Sequence, residues 1–382
     1  MANEIHTIPT ERGIVRVALM RDNEELSRTL VVPMTMRIGR SVLRMDGIGG
    51  VATPEQHRNK GYSRRVLEAA VDYMLAGDAG LSTLYGIPHY YPKFGFATIG
   101  PEYTLWLRSL DTRDTLPEGI TEREGRPGDL SALQWLYHEE TSKAYGAVVR
   151  DDDWWVWERL ETALEPGTGE VRVVEHHGEV VGYAWRGSDF WWMQHLHRDT
   201  EPALKVAEAF AADHVAADAV LAMCRRWARS LEQERCDLAM PPESRVARAA
   251  MLQDASLTVR HHDEAEFMGR VTGLVALLRS LAPELEARWF LCGATSPRFA
   301  VTIVCGAERA TINGSETGVI VEPGGGGDMT AHLDPGTMAR LAMGGFPPET
   351  VLERAGVAAS VRPILDVLFP HVVPYIYPAD RF

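Results

Sequence analysis

The sequence lacks any apolar run that could cross a membrane. A membrane helix needs roughly 20 consecutive apolar residues, and the most apolar stretch, residues 206–224 of the 382, is interrupted by Glu208, Asp213 and Asp218. The amino terminus, MANEIHTIPTERG, has no apolar core of the kind found in secretory signals. We therefore predict a cytoplasmic protein that has no membrane partner.

Cysteine is scarce, and none of it is paired as a redox or metal motif would require. No CxxC pair occurs, and neither His195-x-His197 nor His261-His262 has the spacing of a zinc-binding helix. We predict buried, reduced thiols, no disulfide framework and no metal site. The four cysteines are Cys224, Cys236, Cys292 and Cys305.

Basic charge is also in deficit. Lys plus Arg number 39 and Asp plus Glu 53, so the net charge is −14. Nucleic acid is excluded as a general partner, because phosphate backbones bind basic surfaces. Residues 1–100 carry 12 basic and 10 acidic side chains, which leaves a balance of −16 for the remainder. An anionic ligand would favour the first part of the chain and a cationic ligand the rest, although acidic surface can also serve solubility alone.

What is present is the composition of a globular protein of two or three domains, with 45% hydrophobic and 24% charged residues. Strand-forming segments and a helix-spaced apolar pattern alternate, which predicts a mixed α and β fold. The first strand is expected near Ile14. The predicted strands cover 14–20, 30–38, 41–53, 81–87 and 103–108, and the helix carries Val66, Leu67, Ala70, Val71, Met74 and Leu75.

A strand, a short cationic loop and a helix follow one another at residues 51–75. The free N–H groups of a helix start and the helix dipole attract phosphate, and glycine permits close approach of a ligand to the backbone. Neither GxxxxGK[ST] nor GxGxxG occurs in this loop, so it is neither a P-loop nor a dinucleotide fingerprint. The residues expected to hold a pyrophosphate and its neighbouring group are Val51, Thr53, Arg58, Asn59, Lys60, Gly61, Tyr62 and Ser63.

This R-x-x-G-x-[G/A/S] pattern after a strand resembles motif A of the GNAT superfamily of N-acetyltransferases, with Ser63 in place of the usual second glycine. The resemblance implies that the loop binds the pyrophosphate of acetyl-coenzyme A. It also implies that the preceding strand splays from its neighbour and contacts the pantetheine at Val51 and Thr53. A non-coenzyme helix start that happens to contain glycine is the alternative.

A second motif, Y-x-x-F-G-[FY], occurs at Tyr91–Phe96 and is similar to a turn of many acetyltransferases. In them the tyrosine lies near the thioester sulfur. A phenol with an ordinary pKa of about 10 can protonate a leaving thiolate. Tyr91 is therefore the candidate general acid, with Tyr90 and Tyr85 as rivals.

The segment 333–382 resembles the sterol carrier protein-like domain that ends the enhanced intracellular survival (Eis) type acetyltransferases. That family implies tandem GNAT folds and a hexamer. It predicts an acetyl-CoA-binding GNAT domain at 1–115, a GNAT-like domain without the coenzyme motif at 116–284, and the sterol-carrier-like domain at 285–382. The family normally has a longer amino-terminal region, so the acceptor site is expected to differ here.

The family also implies a catalytic role for the last residue, Phe382, whose carboxylate would reach the active site as the base. Desolvation would raise the pKa of such a carboxylate above its usual value of about 3.5 and strengthen it as a base. An unattached tail is the alternative, since termini are often mobile.

Together these features predict an acetyl-CoA-dependent N-acetyltransferase that acts by direct transfer on a primary amine of a cationic small molecule, such as an aminoglycoside or a polyamine. Two other functions remain open. One is a non-catalytic protein that binds a lipid or another small ligand on a GNAT scaffold. The other is an acetyltransferase of protein or peptide amines.

Overall fold

The computed structural model describes residues 3–110, 113–190, 192–193, 202–292 and 298–382. The chain forms two compact units, each built from separate stretches of sequence. The first unit comprises Met1–Pro101, His261–Pro374 and Phe382, and the second comprises Glu102–Arg260 and Tyr375–Arg381.

Strands and helices alternate along the described residues, which confirms the predicted mixed α and β class. The strands are β1 (Glu4–Pro9), β2 (Val15–Arg21), β3 (Glu24–Ile38), β4 (Ser41–Ala52), β5 (Leu81–Gly86), β6 (Ala97–Gly100), β7 (Glu102–Arg108), β8 (Ile120–Glu124), β9 (Tyr145–Val148), β10 (Val171–His176), β11 (Glu179–Trp185), β12 (Ala203–Val206), β13 (Glu208–Ala211), β14 (Arg235–Leu238), β15 (Ser256–Arg260), β16 (Glu266–Val271), β17 (Phe299–Cys305), β18 (Glu308–Ser315), β19 (Gly318–Pro323) and β20 (Met329–Leu333). The helices are α1 (Tyr62–Leu75), α2 (Leu130–Thr141), α3 (Trp155–Ala163), α4 (His214–Ser230), α5 (Arg245–Leu252), α6 (Leu274–Leu291), α7 (Pro335–Met343), α8 (Pro348–Arg354) and α9 (Arg362–Leu368).

The first unit is organised around a sheet with the order β1-β2-β3-β4-β5-β16-β6. Strands β1 to β4 are antiparallel neighbours, whereas β4 and β5 are parallel and joined by α1. Helix α1 packs on this sheet through Val66, Leu67, Ala70 and Met74, which are all buried in the core. The apolar spacing predicted this helix correctly.

The prediction that the first strand begins near Ile14 is wrong, because β1 precedes it. Five of the six β1 residues are exposed. A strand that buries neither face shows no alternation of apolar and polar residues, so periodicity could not reveal it.

The structure groups the chain differently from the three predicted ranges. Strand β16 pairs with β5 and β6, so residues 266–271 complete the amino-terminal sheet. Strand β7, placed by the prediction in the first domain, pairs with β14 and β15 of the second unit. The predicted boundary at 284/285 falls within α6. These pairings join residues far apart in sequence, so the local composition of the chain does not predict them.

The carboxyl-terminal part of the first unit contains a smaller sheet with the order β19-β18-β17-β20. Its β17 pairs antiparallel with β18 and parallel with β20. Helix α7 contacts β6 and β16. Just after this helix, the backbone at Gly345 lies close to β6, because a Cβ added there would be 2.0 Å from the Ile99 carbonyl oxygen. The region after residue 298 therefore packs directly against the amino-terminal sheet.

The second unit has two sheets, with the orders β13-β11-β10-β8 and β12-β14-β7-β15. Residues 375–381 run through its interior. Asp380 is fully buried, and both of its carboxylate oxygens accept hydrogen bonds from Arg150, at 2.9 and 3.0 Å. Arg150 also pairs with buried Glu208 at 2.6 Å. These contacts hold the tail in place and contradict the alternative of an unattached tail.

Three cysteines are buried as predicted, whereas Cys292 is exposed at the end of α6. Within the described ranges no set of three or more His, Cys, Asp or Glu side chains is arranged to hold a metal ion, and His195 and His197 lie outside those ranges. None of the helices in the described part of the chain is both long and apolar enough to span a membrane.

Candidate active site

The site begins with the loop between β4 and α1. Gly61 immediately precedes the helix in the left-handed region, with φ 76°, and no side chain caps the helix start. The first N–H groups of α1 therefore keep their capacity to bind an anion. A Cβ at Gly61 would meet nothing within 4 Å, so the backbone angle rather than crowding calls for glycine here.

The predicted cations and polar residues surround this helix start. Asn59 is also left-handed, with φ 61°. The Arg58 Nε donates to the Thr53 carbonyl at 3.3 Å, and the Lys60 Nζ donates to the Gln56 carbonyl at 2.8 Å. Both side chains remain exposed, so each adds positive charge beside the loop while stabilising its shape.

Loop residues that point inward are held by a second set of contacts, which the sequence motif did not reveal. His57 is buried and its Nε2 lies 2.7 Å from the Glu24 carboxylate on β3. Arg21 on β2 donates to the Tyr62 hydroxyl at 3.0 Å. His57 therefore anchors the loop to β3.

Strand β4 leaves its neighbour β5 before either strand ends. Their parallel pairing stops at Ile48 opposite Leu84, although β4 continues to Ala52 and β5 to Gly86. On the other edge of β4, the register with β3 shifts between Arg28 and Leu30. The backbone of residues 49–52, which includes predicted Val51, is thereby released from β5. We refer to this opening between β4 and β5 as the fork.

Thr53 lies just beyond the fork. Its hydroxyl is 2.9 Å from the hydroxyl of buried Ser27, which also donates to the Ala52 carbonyl at 3.2 Å. Thr53 is therefore fixed by β3 at the point where the strand turns into the loop. These contacts keep the released backbone in one position without any help from β5.

Tyr91 lies on the β5 side of the fork, at the start of the short 3-10 turn Tyr91–Phe94. Its ring packs against Gly86, where an added Cβ would lie only 2.2 Å from it. Tyr91 is 8% exposed, and burial raises the pKa of its phenol to about 12, so the proton is retained at neutral pH. No described residue forms a hydrogen bond with the Tyr91 hydroxyl.

The two rival tyrosines are committed to other contacts. The Tyr90 hydroxyl donates to the Ser63 Oγ at 3.0 Å. The Tyr85 ring stacks on Phe267, with ring centroids 5.1 Å apart. The Tyr90 hydroxyl is thus engaged by Ser63, whereas the Tyr85 contact involves its ring alone.

Phe382 lies on the β4 side of the fork. A Cβ added at Gly47 would be 2.4 Å from its ring, and one added at Gly49 would be 3.0 Å from its carboxyl carbon. Neither glycine has a positive φ, so these positions serve to make room for the last residue. The terminal carboxylate therefore lies against β4, directly beside the last pair that joins β4 to β5.

Phe382 and Tyr91 lie on opposite faces of the sheet. Gly47 and Gly49 alternate along β4 with Ile48, whose side chain belongs to the core that contains Tyr91 and α1. Successive side-chain positions of a strand point to opposite faces. Phe382 therefore borders the fork from the face opposite to Tyr91, and a group held in the fork would lie between these two residues.

Comparisons with known proteins agree with this architecture. Residues 8–99 match a family model described as an acetyltransferase (GNAT) domain. A GCN5-related N-acetyltransferase from Kribbella flavida superimposes with a TM-score of 0.70 and 16% identity, over 96% of this chain and 87% of the other. Eis1 from Mycobacterium abscessus gives 0.62 and 16%, over 96% and 90%.

A third structure, from Enterococcus faecalis V583 and described as a probable N-acyltransferase, gives a TM-score of 0.72 and 15% identity, over 97% of this chain and 89% of the other. No curated protein matches the chain. Residues 8–99 thus match a GNAT acetyltransferase domain, which supports an acyltransferase activity. Use of acetyl-CoA follows from this fold, and the uncapped helix start, Gly61 and the fork suit that cosubstrate.

Proposed function

We propose that this protein is an N-acetyltransferase of the Eis type, which transfers the acetyl group of acetyl-CoA directly to a primary amine of a cationic small molecule. The observation that supports this proposal is that Phe382 and the Tyr91 ring border one fork from opposite faces of the sheet. Direct transfer needs a base for the incoming amine and an acid for the departing thiolate, and the fork separates the two.

The loop residues supply the cosubstrate site in this proposal. The first amides of α1 and the side chains of Arg58 and Lys60 bind the pyrophosphate, while Gly61 permits its approach. Asn59, Tyr62 and Ser63 complete the loop. The released backbone of β4 at Val51 and Thr53 contacts the pantetheine, and an N–H near Val51 polarises the thioester carbonyl.

The reaction then requires three proton transfers. The Phe382 carboxylate takes a proton from the acceptor ammonium, directly or through water. The free amine attacks the thioester carbonyl carbon, and the carbon–sulfur bond breaks as Tyr91 donates its proton to the departing sulfur. The attacking nitrogen gives up its second proton, which returns to the Tyr91 phenolate through water and leaves the neutral amide. Holding both reactants at one fork supplies much of the rate enhancement, because the encounter becomes effectively intramolecular.

The acceptor class is inferred from charge. The balance of −16 outside residues 1–100 favours a cationic molecule, and aminoglycosides and polyamines are amines of this kind. The proposal includes a sterol carrier protein-like domain at residues 285–382, a cytoplasmic location, a homo-oligomer, hexameric as in the Eis family, and neither nucleic acid nor membrane as partner.

A thiol-release assay with acetyl-CoA tests the proposal against a panel of aminoglycosides, polyamines and lysine-containing peptides. We expect turnover with the small polycations and far less with peptides. Preference for peptides would reassign the acceptor class. Isothermal titration that detects no acetyl-CoA binding would instead support a non-catalytic ligand-binding protein.

A further inference from the structure

A buried arginine outside the motifs contacts the turn that carries Tyr91. Arg270 lies on β16 and is only 7% exposed. Its Nη1 donates a hydrogen bond to the Phe94 carbonyl, and its guanidinium lies 5.8 Å from the centre of the Phe96 ring. Residues 94 and 270 are 176 positions apart, so no local pattern could have revealed the contact.

Arg270 has no ion-pair partner within the described part of the chain. Burial lowers the pKa of its guanidinium, because desolvation disfavours the charged form. The Asp72 carboxylate raises this pKa only in part, and a buried charge without a counter-charge at ion-pair distance reduces stability. A hydrophobic side chain at this position would avoid that penalty, so core packing alone does not account for arginine here.

The Phe94 carbonyl is the group that needs a donor. It stands at the end of the turn Tyr91–Phe94, where Gly95 changes the chain direction with φ 79°. Carbonyl groups at the end of a helical turn have no partner within the turn. Arg270 supplies the donor from the neighbouring strand, and this fixes the turn at one end while Tyr91 stands at the other.

We infer that Arg270 is a positioning residue, which acts on transfer by holding the Tyr91–Phe94 turn so that the Tyr91 hydroxyl points at the fork. This inference rests on the proposed role of Tyr91 as general acid. Arg270 itself touches neither the cosubstrate nor the acceptor in this scheme.

A double-mutant cycle tests the inference with the full-length protein in the thiol-release assay. Tyr91→Phe should lower kcat by about 100-fold, in the range of a lost general acid. Arg270→Met should lower kcat by about tenfold when Tyr91 is present, since small misplacements of a catalytic group are costly. In the Tyr91→Phe background, Arg270→Met should change kcat less than twofold, and KM for acetyl-CoA should stay constant throughout.

The outcomes separate the two proposals. An Arg270→Met loss of equal size in both backgrounds would overturn the positioning role and leave the acid assignment intact. A Tyr91→Phe variant with unchanged kcat would overturn the acid assignment and the positioning role with it. A loss confined to KM for acetyl-CoA would also overturn the positioning role.

Arg340→Met is the matched control. Arg340 also donates to a backbone carbonyl of this region, that of Thr98 on β6, at 2.8 Å, but it does not contact the turn. We expect this variant to keep the kcat of the parent. Thermal melting establishes that each variant is folded. If Arg270→Met does not fold, Arg270→Lys gives the same cycle, with a smaller loss of kcat that again disappears in the Tyr91→Phe background.

Discussion

Gly47→Ala displaces the last residue of the chain without removing its carboxylate. The added Cβ would lie 2.4 Å from the Phe382 ring. Carbon atoms in good contact are about 3.5–4.0 Å apart, so the ring must move by roughly 1 Å or more. A displacement of about 1 Å can reduce a rate by about 100-fold. We therefore expect kcat for acetyl transfer to fall by about two orders of magnitude.

The assay is thiol release at saturating acetyl-CoA and amine. KM for acetyl-CoA should be unchanged, because the loop proposed to bind the pyrophosphate comprises residues 58–63 and does not include Gly47. Overpacking of this kind also destabilises a protein by about 1–3 kcal/mol, which a thermal melt will register. Gly326→Ala is the control, since a Cβ there meets nothing within 4 Å and the residue has no positive φ.

Two results would refute the reasoning. A folded Gly47→Ala protein with the kcat of the parent would mean that the position of Phe382 is irrelevant to transfer. Deleting Phe382 in the Gly47→Ala background should cause little further loss. A large additional loss there would mean that the displaced carboxylate still acts, and that the cause of the first loss lies elsewhere.

Three further predictions concern the loop, the sheet and the tail. Gly61→Val should raise KM for acetyl-CoA at least tenfold with kcat nearly unchanged, since a β-branched residue is strained at φ 76°. Asp46→Asn should stabilise the protein at pH 7 but not at pH 4 in denaturant titrations. Burial raises the Asp46 pKa from 3.8 to about 6, so the parent loses stability as the pH rises through this window. After allowance for partial exposure, the variant should gain about 2 kcal/mol in the free energy of unfolding at pH 7. Arg150→Met should cost about 3–5 kcal/mol, because it leaves two buried carboxylates without a counter-charge, and double replacement of Asp380 and Glu208 by their amides should recover part of that loss.

Local chemistry made the strand, loop and helix at residues 51–75 predictable. Gly61, the cations beside it and the apolar spacing of α1 lie within one short segment, and the structure has the same strand, loop and helix in that order. Strand β1 was missed because it is exposed on both faces. The helix could be predicted because burial of one face gives its sequence a regular apolar repeat. The exposed strand could not, because it has no such repeat.

Contacts between distant residues could not be predicted in this way. The packing of Phe382 on Gly47 and Gly49 and the bond from Arg270 to Phe94 join residues at least 176 positions apart. The spacing Gly47-x-Gly49 does carry a clue, since two glycines on one face of a strand make room for something. The neighbouring sequence does not indicate which residue fills the space beside these glycines. Only the resemblance to a family suggested the carboxyl-terminal tail.

The insertion of β16 between β5 and β6 has a consequence for biosynthesis. The amino-terminal half of the sheet emerges from the ribosome with the place of its inner strand still unfilled, and it must wait for more than 160 residues to be translated before residues 266–271 arrive. At roughly 5–20 residues per second this delay lasts on the order of ten seconds or more. A gene fragment that ends after residue 101 should therefore yield an insoluble product.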